Sequence, residues 1–136
     1  MVIKIKREPE IPEPPEDWQG SKPEWAIFHA LISLGKKLGV DFEYQSAFLG
    51  GRLAKGGAVV DFLFYNPPNL AINVQSVFYH YREITQKVRG QMQRAQLEGM
   101  GLRVIFIDEA DALRAPHWYV REALQFRDHS RMAGVV

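Results

Sequence analysis

Residues 58–65 read Ala-Val-Val-Asp-Phe-Leu-Phe-Tyr, apolar throughout except for one carboxylate at Asp61. A run this short, rich in β-branched and aromatic residues, fits a central strand covered on both faces. Leu70–Gln75 (LAINVQ) and Leu102–Ile107 (LRVIFI) share its character. Asn66-Pro67-Pro68-Asn69 separates the first run from the second, and a four-residue turn between strands implies an antiparallel hairpin. Upstream, Asp41–Ala47 alternates Phe42, Tyr44 and Ser46 against Glu43 and Gln45, the pattern of a half-buried strand.

Helical segments punctuate these strands. Ser21-Lys22-Pro23-Glu24 matches a capping box with proline in the first turn. Ile27, Phe28, Leu31, Leu34 and Leu38 then follow at helical spacing, with Gly35 weakening the helix and Gly39 stopping it. A second helix is predicted over 82–98, striped by Ile84, Val88, Met92 and Ala95 and ended by Gly99 and Gly101. Asp108-Glu109-Ala110-Asp111 reads as the capped start of a turn or short helix, and Pro116 opens a last helix to about Phe126. The order is αβββαβα, an α/β domain of layers around a mixed sheet.

Composition narrows the function classes. The chain of 136 residues is 46% hydrophobic and 24% charged, which suits one packed domain. Cysteine is absent, which removes disulfide scaffolds, thiolate zinc sites, iron–sulfur clusters and cysteine nucleophiles. No apolar stretch reaches the length of a membrane span, and the opening MVIKIKREPE lacks the apolar centre of a signal peptide. An intracellular protein with no membrane partner is expected.

Net charge is +1, unevenly spread. Residues 1–20 hold three basic and five acidic groups, a local −2, which leaves +3 on residues 21–136. Ile11-Pro-Glu-Pro-Pro15 makes residues 1–20 an extended proline-rich arm. Two readings of it stand: an unstructured tail, or an arm lying along this protein or a neighbouring subunit with Trp18 as its anchor. Residues 21–126 form the predicted domain and 127–136 a C-terminal tail.

Asp61 is the residue that asks for a function. A carboxylate in a central strand costs several kcal/mol unless it is paired or metal-bound. Alternation puts Val59, Asp61 and Leu63 on one face, while Ala71, Asn73 and Gln75 share a face of the next strand. A paired hairpin gathers Asp61, Asn73 and Gln75. Glu24, in line with Phe28 and Leu31, can aim a second carboxylate at them from the first helix, or serve simply as a cap.

In this order of elements the chain resembles the PD-(D/E)XK nuclease superfamily, nearest to its very-short-patch-repair and Holliday-junction-resolvase-like endonucleases. The stretches that carry the likeness are Pro23-Glu24 with its helix, Val60-Asp61-Phe62, Leu70-Ala-Ile-Asn73-Val-Gln75, His80, and Gly101-Leu-Arg-Val-Ile-Phe-Ile107. The resemblance implies a restriction-endonuclease-like three-layer core and a Mg2+ (or Mn2+) ion on Asp61 and Glu24, hard-cation chemistry that needs oxygen ligands. The family's second strand acid falls on Asn73 and its lysine on Gln75, which implies a weakly held metal. Glu43 is a further carboxylate that could supply charge. His80 resembles the histidine used as general acid or base by the patch-repair branch.

A DNA surface is expected from Arg52 and Lys55 in a glycine-rich loop and from Arg82, Lys87, Arg89 and Arg94 on the second helix, with Tyr79 and Tyr81 able to stack on bases. The resemblance thus implies a metal-dependent endonuclease of branched or mismatched DNA. The alternative is a catalytically impaired nuclease-like fold serving as a nucleic-acid-binding or assembly module, docked through its arm. A homodimer is compatible with both.

Overall fold

The computed structural model describes residues 7–48, 58–75 and 94–131. Helix α1 (Lys22–Ser33) is followed by strands β1 (Phe42–Phe48), β2 (Ala58–Phe64), β3 (Leu70–Gln75) and β4 (Arg103–Asp108), then helices α2 (Glu109–Arg114) and α3 (Pro116–Leu124). Residues 94–98 are also helical. The four strands form one mixed sheet in the order β1-β2-β3-β4, with β1/β2 and β2/β3 antiparallel and β3/β4 parallel. The α/β class and the antiparallel hairpin read from the sequence are both present.

Local chemistry sets the first helix. Glu24 N donates to Ser21 Oγ at 3.2 Å and Ser21 N to Glu24 Oε2 at 3.3 Å, the reciprocal pair of a capping box. The helix stops earlier than the apolar spacing predicts. Gly35, at φ +89°, lets Lys36 N reach Leu31 O and Gly35 N reach Ile32 O, each at 3.0 Å, a left-handed close that satisfies the last carbonyls. Leu38 therefore falls beyond α1 and is 52% exposed instead of joining the buried stripe. The last helix likewise ends at Leu124, two residues short of the predicted Phe126.

The sheet has a helical layer on one face and helical residues on the other. On the first face, Ile27, Ala30 and Leu31 of α1 pack with Phe42, Phe62, Phe64, Ile72, Ile105, Ile107 and Val120. On the second, Leu97 packs with Val60, Ala71, Val104 and Phe106. Fully burying each of the larger aliphatic and phenylalanine side chains stabilises by about 1.5–3 kcal/mol. Burial on both faces is why Leu70-Ala71-Ile72 of β3 and Val104–Ile107 of β4 read as unbroken apolar stretches rather than alternating ones.

Residues 7–20 carry no helix or strand and lie against this same protein. Trp25 Nε1 donates to Pro12 O at 2.7 Å, and Trp18 stacks on Tyr44 at 4.9 Å and meets Trp25 edge-on at 5.1 Å. Further back, Glu8 accepts from His117 N at 2.7 Å and Trp118 N at 3.2 Å. Ala115 at the N-cap of α3 has no side-chain acceptor, so the arm supplies the cap. Of the two readings of the arm, the described residues match the packed one.

Candidate functional site

Asp61 lies where β2 and β3 cease to pair by backbone alone. Their register runs through Leu63↔Ala71 and Phe62↔Ile72. At the next position side chains take over. Asp61 N donates to Asn73 Oδ1 at 2.9 Å, and Val74 N donates to Asp61 Oδ2 at 2.8 Å. The two side chains thus replace ladder bonds and wedge the strands apart. Packing records the change: Val60 joins the second face with Ala71, whereas Phe62 joins the first with Ile72. Simple alternation along β2 breaks at Asp61. The residue is half-buried, and Asn73 is 5% exposed.

Glu24 meets the sheet through Tyr44, a residue whose sequence pattern shows only strand alternation. Tyr44 on β1 donates its hydroxyl to Glu24 Oε1 at 2.7 Å, while Ser21 Oγ donates to Glu24 Oε2 at 2.7 Å. Gln45 Nε2 donates to the same phenol oxygen at 3.1 Å. Burial pushes the Tyr44 phenol well above its usual range, and the Glu24 hydrogen bond, the Glu24 charge and the Asp61 charge act in the same direction. Tyr44 thus feels both carboxylates and stays a neutral donor. The alternation of Phe42 and Tyr44 was its sequence signal, because an inward phenol needs a partner for its hydroxyl.

Asp61 and Asn73 are brought together across the β2–β3 gap by their side-chain bonds, while Gln75 lies in register with Asp108 of β4. Several expectations are corrected. Glu43 hydrogen-bonds the Tyr65 phenol, so its carboxylate goes elsewhere. Arg94 is not a solvent-facing cation: it donates to Asp128 at 2.8 Å, lies 4.7 Å over the Phe106 ring and is 16% exposed. Asp108 occupies the N-cap position of α2 without capping it; its Oδ2 accepts from Arg131 N at 3.0 Å instead. Arg52, Lys55, Tyr79, His80, Tyr81, Arg82, Lys87 and Arg89 lie outside the described residues.

The donor set of Glu24, Asp61 and the Asn73 amide is all oxygen, the class a hard divalent cation takes. Glu24 Oε1, Asp61 Oδ2 and Asn73 Oδ1 each accept one of the hydrogen bonds above, and such oxygens have a second lone pair to offer. The residues therefore fit Mg2+ or Mn2+ in kind, with two formal charges to hold it. Among the described residues no group of three or more His, Asp and Glu side chains is clustered for metal binding. No helix among them is long and apolar enough to cross a membrane. Comparison with protein-family models, curated proteins and solved structures gave no match.

Proposed function

We propose that this chain is a nuclease-like domain of the PD-(D/E)XK type that hydrolyses phosphodiester bonds of DNA with a divalent metal ion. One observation carries the reading: a helix-borne carboxylate, Glu24, accepts from the Tyr44 phenol at 2.7 Å, and the charge of Asp61, at the parting of β2 and β3, pushes the same phenol up. Two acids from elements separated in sequence whose fields reach one phenol are a starting point for a hard-cation site.

Asp61 and Glu24 would hold the ion, with the Asn73 carbonyl completing the set. When bound, such an ion polarises the phosphate and lowers the pKa of water beside it. The chain's own contribution is positional. Asn73 and Asp61 satisfy each other's strand where the ladder parts, and α1 holds Glu24 on the Tyr44 phenol. Gln75 can orient a water or phosphate oxygen through its amide but brings no cation. DNA would approach through the arginines and lysines at 52, 55, 82, 87 and 89.

A second reading has its own observation. Both oxygens of Glu24 already accept from Ser21 and Tyr44, and the Asp61 and Asn73 side chains stand in for ladder bonds. Groups used to hold a fold together suit a nuclease-like module that binds nucleic acid without cutting it. The deciding experiment is Mg2+- or Mn2+-dependent cleavage of supercoiled, branched and mismatched DNA, run beside Asp61→Ala. Cleavage lost in the variant supports the enzyme. Cleavage that survives the substitution refutes this metal site, and salt-sensitive binding without cleavage supports the module.

A further inference from the structure

Tyr44 stands where the arm, α1 and the sheet meet. Its ring stacks on Trp18 at 4.9 Å with 21° between planes, tilts against Phe62 at 5.2 Å and meets Phe28 edge-on at 6.3 Å. Three aromatic neighbours fix the ring, each contact adding about 0.5–1.5 kcal/mol. Gly20 closes over the far end, where a Cβ would overlap the Tyr44 hydroxyl. The absence of a side chain at Gly20 is therefore what lets the phenol lie on Glu24. The hydroxyl donates to Glu24 Oε1 at 2.7 Å, and a carboxylate oxygen can only accept, so the phenol is the donor of this pair.

We infer that Tyr44 is a latch: a positioning residue, held down by Trp18 and admitted by Gly20, that keeps Glu24 in its helix cap and competes with a divalent cation for Oε1. The inference rests on the metal site proposed above. A hydrogen bond to a charged acceptor is among the stronger ones in a protein, and it stabilises the cation-free arrangement only. Coordination through Oε1 must share or break it. Removing the hydroxyl deletes the competitor for Oε1, so cation affinity rises. Trp18 links this event to the arm, since moving the indole unseats the phenol.

The test is Mn2+ titration of the full chain, followed by the electron paramagnetic resonance of free ion, for wild type, Tyr44→Phe, Gly20→Ala and Asp61→Ala. Tyr44→Phe keeps the ring, and Gly20→Ala keeps the hydroxyl but displaces it, so the two perturb the latch by different routes. Both are expected to tighten Mn2+ binding by roughly tenfold to a hundredfold, while Asp61→Ala abolishes it. Asp61-dependent binding that is unchanged or weaker in Tyr44→Phe overturns the latch and leaves the metal site standing. No Asp61-dependent binding in wild type or in Tyr44→Phe overturns both.

Discussion

Removing the Glu8 carboxylate should loosen a helix that begins more than a hundred residues away. Glu8 Oε1 accepts from His117 N at 2.7 Å and lies 3.1 Å from His117 Nδ1, while Oε2 accepts from Trp118 N at 3.2 Å. The carboxylate side chain is only 13% exposed and the imidazole 5%, so water cannot easily replace these bonds. Deleting a helix cap costs about 1 kcal/mol and up to about 2. A charged acceptor shared by two backbone donors and an imidazole places Glu8→Ala near the upper end, about 2 kcal/mol. With an unfolding entropy of ~2 cal/mol/K per residue over 136 residues, the melting temperature should fall by roughly 7 °C. Glu8→Gln keeps an acceptor oxygen but not its charge and should lose about half as much. The assay is thermal denaturation by circular dichroism, paired with amide hydrogen exchange at His117 and Trp118. If Glu8→Ala melts within about 1 °C of wild type and both amides stay protected, the arm is not what caps α3 and the account of its packing fails.

Two other perturbations bear on buried charge. Burial pushes the Asp108 carboxyl up from its ordinary value of 3.8, with Asp111 and Asp128 adding to the shift and the Arg131 amide opposing it. A raised folded-state pKa makes a stability contribution that is complete below 3.8 and lost as pH rises through the folded value. Asp108→Asn should therefore raise the melting temperature at neutral pH, with a gain that shrinks as the pH is taken below 3.8; an equal gain at both pH values would contradict the assignment. Asn73→Asp places a second carboxylate beside Asp61 and should destabilise by about 1–3 kcal/mol in chelator. Millimolar Mg2+ should restore that loss in urea titrations, and a variant indifferent to Mg2+ would count against a cation site at the strand gap.

Features set by neighbouring residues were legible in the sequence. Ser21 and Glu24 are three residues apart, so their capping box follows from spacing alone. The β2–β3 hairpin follows from its four-residue turn, and the burial of β4 from its apolar run. Helix α1 ended early because Gly35 took a left-handed conformation, while hydrophobic spacing continued past it to Leu38. A periodicity argument weighs side chains, and here the backbone decided.

The candidate site divides along the same line. Its residue types could be named from order and chemistry: a carboxylate in an apolar strand, amides on the next strand, an acid at a helix start. Their arrangement could not. Tyr44 and Glu24 are twenty residues apart, and Glu8 and His117 one hundred and nine, so no local pattern announces either contact. Asp61 and Asn73 meet in the strand gap because each side chain replaces a backbone bond where the ladder parts. Sequence by itself determined that β2 and β3 form a hairpin, which runs are apolar and where a buried charge must be satisfied. Only the folded chain decided which partner satisfies it, because hydrogen-bond partners are chosen by distance in space, and packing brings distant residues within 3 Å of one another.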